Sequence, residues 1–158
     1  MFTTTGPIET PVNGKDPLGN LAEPLPALSQ FYKALNSRDL ALMEQNWCAS
    51  PDAAMDNPLG GIMRGWANIR SVYERLFAMK GSYRFEFWDY TLYQTREVFF
   101  VVGRERGRLE TDKGALDFAI RTTRLFTREG SGWRQLHHHG SIDDPEMLSK
   151  YQGLVLGR

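Results

Sequence analysis

Beyond Gly81 the apolar residues of this chain stop recurring every three or four positions and begin to alternate, and the alternation runs on to Ile142. Period two places successive side chains on opposite faces of a pleated strand. It predicts four long strands, Tyr83 to Gln94, Glu97 to Glu110, Ala115 to Arg128 and Trp133 to Ile142. The last two connections, Thr111-Asp112-Lys113-Gly114 and Glu129-Gly130-Ser131-Gly132, are as short as antiparallel neighbours require. In the first strand the apolar set passes from Tyr83, Phe85 and Phe87 to Trp88, Tyr90 and Leu92, a change of face that predicts a bulge and a curled sheet.

The material that covers the sheet lies upstream. Leu28, Phe31, Tyr32 and Leu35 give a helix from Ala27 to about Ser37; Asp39 is placed to cap a short second helix carrying Leu40, Met43 and Trp47. A short strand, Ala53 to Asn57, runs into the turn Pro58-Leu59-Gly60-Gly61. A third helix buries Trp66, Ile69, Val72, Tyr73, Leu76 and Phe77, with Gly81 placed as its left-handed C-terminal cap. The architecture is α+β, a curved antiparallel sheet wrapped around helices to form a cone with an internal pocket. Residues 1–26 hold five of the eight prolines and no hydrophobic period, so they form an extended arm, either disordered or laid across the body or a partner subunit. Residues 27–143 form the domain, and 144–158 a helical tail with Met147, Leu148 and Tyr151 on one side.

Nineteen basic residues balance nineteen acidic ones, which removes the positive field that nucleic-acid binding depends on. No stretch resembles a membrane span or a leader peptide, so cytoplasmic residence is expected. The single cysteine, Cys48, excludes an internal disulfide and reads as a small core residue.

Three segments carry a resemblance. Asp52-Ala53-Ala54-Met55-Asp56-Asn57-Pro58-Leu59-Gly60-Gly61 is similar to the strand and turn that hold the base of steroid delta-isomerases. The stretch from Thr123 to Ser141 resembles the final hairpin of the calcium/calmodulin-dependent kinase association domain and of SnoaL-like proteins. Arg64-Gly65 entering an amphipathic helix is common in the same nuclear transport factor 2-like superfamily. The resemblance implies a cystatin-like cone over residues 27–143. It also implies that the isomerase base is replaced by Asn57, which cannot take a proton at neutral pH. The oxyanion-holding tyrosine is replaced by Phe31, with Tyr32 one residue off, and the protonated aspartate by Thr122. The scaffold carries over and the isomerase chemistry does not.

Alternation puts Leu116, Phe118, Ile120, Thr122, Arg124 and Phe126 on the buried face. Arg124 then needs a partner or a route to solvent: an ion pair with Asp56 or Glu86, a stem lying along the cavity mouth, or a ligand carboxylate or enolate. The resemblance favours the ligand, because kinase association domains line their pocket with arginine there. Arg104 is expected to point toward Arg124. On the last strand His137 and His139 share a face with Trp133, and His138 faces the other way; if that face lines the cavity, His138 is its one group titrating near neutrality, a general acid or base. Asn57 faces the cavity and can polarise a carbonyl. Met55, Trp47, Tyr73 and Trp88 are expected among its walls, with Phe31, Phe118, Ile120 and Thr122. His137 and His139 read as sheet-surface residues rather than metal ligands, and no cofactor is expected. The outer face, with Trp133, His137 and His139, is expected to be covered by a second copy in a homodimer.

Two functions follow. One is a cofactor-independent isomerase, dehydratase or cyclase that moves a proton on a small, largely apolar metabolite, neutral or anionic, with His138 as acid or base and Asn57, Tyr32 and Arg124 polarising. The other is a non-catalytic ligand-binding or dimerisation module.

Overall fold

The computed structural model describes residues 1–158. In chain order the elements are β1 (Thr3–Ile8), α1 (Pro24–Ser37), α2 (Leu40–Asn46), β2 (Ala54–Asp56), β3 (Met63–Arg64), α3 (Trp66–Phe77), β4 (Ser82–Gln94), β5 (Val98–Thr111), β6 (Gly114–Glu129), β7 (Gly132–Ser141) and α4 (Pro145–Leu156). All seven strands join one sheet in the order β1-β4-β5-β6-β7-β2-β3. Every pairing is antiparallel except β2 with β7, which aligns Ala54, Met55 and Asp56 beside His137, His138 and His139. The sheet wraps α1 and α3, and its inner face supplies most of the core, including Phe85, Phe87, Phe99, Val101, Phe118, Ile120 and Phe126. No helix is long and apolar enough to cross a membrane.

Local chemistry explains the helix boundaries. Pro24 and Pro26 open α1, where a missing N–H costs nothing. Asp39 caps α2 by accepting from the Leu42 amide at 2.9 Å. Gly81 does not cap α3, which ends at Ala78. It turns the chain into β4 at φ 117°, against the Glu110 carbonyl, where a Cβ would sit 2.1 Å away.

The arm is ordered onto the body. Its first part, β1, pairs along the edge of β4, and the Val12 and Phe87 backbones exchange hydrogen bonds of 2.8 and 2.9 Å. Gly14 lies against the backbone of α1, and the Asn36 amide clamps the Asn13 carbonyl at 3.0 Å and the Phe85 backbone at 2.8 Å. Period analysis misses β1 because five of its six residues are exposed and polar or small.

Two bulges decide which side chains face inward. In β4 the register shifts between Trp88 and Thr91, with Asp89 at φ 45°. Tyr90 and Leu92 therefore join Phe85 and Phe87 inside, while Trp88 stays outside, half-buried beneath the Arg106 guanidinium 4.1 Å from its ring. In β7 the register shifts at Leu136, so Trp133 and Gln135 face inward together with His138. Trp133 is 3% exposed, edge-on to Phe99, and donates its indole N–H to the Ala22 carbonyl at 2.9 Å. The expected outer patch around Trp133 is thereby corrected; His137 and His139 remain outside.

Candidate functional site

The inner faces of β5, β6 and β7 bring Glu105, Arg124 and Gln135 together under α1. Arg124 is 2% exposed and lies face-on to Phe31, its guanidinium carbon 3.6 Å from the ring centroid. It donates from Nη2 to Glu105 Oε1 at 2.6 Å, from Nη1 to Gln135 Oε1 at 2.8 Å and from Nε to the Tyr32 hydroxyl at 3.2 Å. Tyr32 in turn donates to Glu105 Oε1 at 2.7 Å. Gln135 passes the network on to Asn46, and Asn46 to Gln30 and the Ala27 carbonyl. Burial would push the guanidinium down, but Tyr32, Glu105 and Tyr73 outweigh it, and Arg124 stays charged. Burial likewise raises the Tyr32 hydroxyl well above its ordinary value and pushes Tyr73 up to about 12.

The partner of Arg124 is therefore Glu105. Asp56 and Glu86 serve elsewhere, with His139 and Arg106 respectively. Arg104 is corrected to the outer face, where it pairs with Asp89 at 2.9 Å. Sequence reasoning passed over Glu105 because it sits among Arg104, Arg106 and Arg108, although strict alternation along β5 already separates it from them.

His138 faces inward, 4% exposed, with Nδ1 on the Thr123 carbonyl at 3.3 Å. Burial, then the charge of Arg124, push its pKa well below the ordinary 6.5, so it is neutral at neutral pH instead of titrating there. Thr122 is buried and donates to the Ile120 carbonyl at 3.4 Å. Phe31, Trp47, Met55, Tyr73, Phe118 and Ile120 are all buried in the cone. The Trp47 indole N–H finds no hydrogen-bond partner, beside the Tyr73 ring at 6.4 Å.

On the outer face the parallel pairing of β2 with β7 delivers Asp56 to both outward-facing histidines, 2.6 Å from His139 Nδ1 and 3.7 Å from His137 Nε2. This is a hydrogen-bonded cluster, and no group of three such side chains is arranged to hold a metal ion.

Open space lies at the mouth of the cone. A cavity of about 200 Å3 is walled by Met55, Leu59, Met63, Val72 and Leu76, and closed on one side by Val155 and Leu156 of α4. Its two polar lining side chains are Asn57 and Arg75. Asn57 Oδ1 accepts from the Leu59 amide at 3.0 Å, and its Nδ2 meets only the Met55 sulfur at 4.0 Å. Arg75 is exposed, touches the Ser71 carbonyl through Nε at 3.3 Å and forms no ion pair. Two donors thus border an apolar hollow in which no group titrates near neutrality. Arg75 escaped sequence reasoning because it lies on the polar side of α3, and only folding of the turn after Asn57 onto that helix brings it to the rim.

The SnoaL-like domain model matches residues 25–145. Among solved structures the chain is similar to a candidate dehydratase of the nuclear transport factor 2-like family from Streptomyces avermitilis, with 19% identity, 73% of this chain and 90% of that one covered, and a TM-score of 0.66. It is also similar to a candidate calcium/calmodulin-dependent protein kinase type II association domain from Thiobacillus denitrificans, with 24% identity, coverage of 77% and 95%, and a TM-score of 0.64. A candidate aromatic ring hydroxylase from Novosphingobium aromaticivorans gives 16% identity, coverage of 75% and 85%, and a TM-score of 0.65. No curated protein matches the chain. At these identities the structures share the fold, a cystatin-like cone, across differently named proteins. The family match spans most of the chain, and the protein belongs to the SnoaL-like domain family.

Proposed function

We propose that this protein is a binding module for a small, largely apolar molecule with one anionic or carbonyl end, seated at the cone mouth. The observation that carries the reading is the mouth cavity, apolar apart from the Asn57 amide and the unpaired Arg75 guanidinium. A carboxylate or carbonyl oxygen would sit between those donors, with its apolar body against Met55, Val72 and Leu76. Arg124 is not the anchor in this reading, because Glu105 already meets its charge. The test is calorimetry with a series of medium-chain carboxylic acids and the matching primary alcohols. The acids bind more tightly in the wild type, and Arg75→Ala removes the difference; acids and alcohols bound alike in both proteins would refute the site.

A second reading, proton-transfer catalysis, is favoured by one feature of His138. With Nδ1 directed at the Thr123 carbonyl, the ring carries its proton there and keeps the Nε2 lone pair as a base. Deuterium exchange beside the carbonyl of a bound ligand, lost in His138→Gln, would select this reading over the first.

We also propose a homodimer through the outer sheet face. Val102 stands 45% exposed there, flanked across the strands by Thr91 of β4 and Thr123 of β6.

A further inference from the structure

The cavity at the mouth measures about 200 Å3. Pockets that bury a small organic molecule run to about 300–1,000 Å3. One side of this small cavity is closed by the chain's own C-terminal helix. Tyr151 and Leu154 of α4 are 5% and 7% exposed, and the next residues, Val155 and Leu156, form one wall of the cavity. The Tyr151 ring meets Phe118 edge-on at 5.7 Å. Burial first and the charge of Glu105 second hold its hydroxyl well above its ordinary pKa.

We infer that α4 is a displaceable lid on the cone: in the closed protein Val155 and Leu156 wall off the mouth cavity while Tyr151 anchors the helix on Phe118, and a ligand enters when the helix lifts from β6 and the turn after Asn57. The inference rests on the reading of the mouth as a ligand site, and it adds how that site is regulated.

The helix is built to leave. It has 12 residues, at the limit below which isolated helices are marginal, and Gly153 weakens its interior. It is held by one apolar stripe and a few polar ties: Gln152 Nε2 to the Pro58 carbonyl at 2.9 Å, Lys113 Nζ to the Gly157 carbonyl, and Arg121 to Asp143 at its base, the last with both side chains more than 60% exposed. Asp144 caps α4 through the Glu146 and Met147 amides, so the helix can swing as a unit about the short link from β7. The family match ends at residue 145, leaving all of α4 after its first residue outside the part of the chain that the family model describes.

A lid of this kind makes binding wait for opening, so the observed rate levels off as ligand concentration rises, and the apparent affinity is lowered by the fraction of time spent open. Stopped-flow fluorescence with 1-anilinonaphthalene-8-sulfonate, an apolar body with one anionic group, compares the full chain with one ending at Asp143. Near-UV circular dichroism confirms that both are folded. The full chain should show the plateau, whereas the shortened chain binds with a rate linear in probe and about tenfold more tightly. Should the shortened chain fail to fold, Tyr151→Ala in the full chain replaces it, and it too should bind faster than wild type. Equal rates and affinities overturn the lid. Hydrogen exchange without any probe separates this proposal from the one it rests on. Amides of residues 151–156 should exchange through an opening that leaves β6 protected. If they exchange only together with β6, the lid is wrong whatever binds. If they open and neither chain takes the probe, the lid is supported and the ligand site is what fails.

Discussion

Arg124 and Glu105 form an ion pair of 2.6 Å in the centre of the cone, with side chains 2% and 4% exposed. Two charges so deeply withdrawn from water are held by geometry: Tyr32 bridges both, and Gln135 takes a further guanidinium N–H. Such a pair adds little to stability against an apolar substitute, but breaking one half is costly, because the other charge stays buried and alone.

Arg124→Ala should therefore destabilise the fold by about 3–5 kcal/mol. Arg121→Ala, on the outer face of the same strand and paired with the exposed Asp143, should cost less than about 1 kcal/mol. Urea denaturation measures both. Equal losses would mean that the inner network is not what the strand alternation delivers.

His138 makes stability depend on pH. Its folded pKa is depressed by burial and by Arg124, so below the ordinary 6.5 the unfolded chain binds a proton that the folded chain refuses. Its contribution is complete above pH 6.5 and is lost as the pH falls below that value, at up to about 1.4 kcal/mol per pH unit. Denaturation midpoints between pH 7 and 5 should fall less steeply in His138→Gln than in the wild type. Parallel slopes would show that His138 is not held neutral.

Gly14 tests the arm. It has φ 74°, and a Cβ there would meet the Lys33 backbone nitrogen at 2.1 Å. Gly14→Ala should push the strap off α1, at a cost of at least about 1 kcal/mol from the backbone conformation alone and more from the clash. Protease cutting within residues 1–22 should speed up while the rest stays intact. An unchanged cleavage pattern would count against the strap.

Assembly through the outer sheet face predicts a dimer by light scattering at micromolar concentration. Val102→Glu should shift it to monomer without lowering the melting temperature by more than a few degrees, since that side chain is exposed in the single chain. A wild-type monomer would remove the claim.

The missing base is tested directly. Wild-type turnover of a 3-oxo-Δ5 steroid should stay at background, because Asn57 offers an amide where a carboxylate is needed and its Oδ1 is already tied to the Leu59 amide. Robust isomerisation would place the base elsewhere in the cone.

What the sequence determined by itself was whatever depends on local periodicity. The four long strands, the three helices before them, the inward course of Phe118 to Phe126 and the placing of Asn57 at the end of its strand all follow from spacing, since a period of two or of three to four selects one buried face. What tertiary structure alone decided was parity and partnership. A single extra residue at Leu136 turned Trp133 inward, and the bulge that the change of face in β4 predicts falls beyond Trp88, which leaves Trp88 outside; one inserted residue reverses every face beyond it, and no composition marks where the insertion falls. Glu105 as the mate of Arg124, Asp56 beside His139, and Arg75 on the same cavity as Asn57 bring together residues distant in the chain. They exist because β5 lies beside β6, β2 runs parallel to β7, and the turn after Asn57 folds over α3. Pattern shows which face a residue takes, and only packing shows what stands across from it.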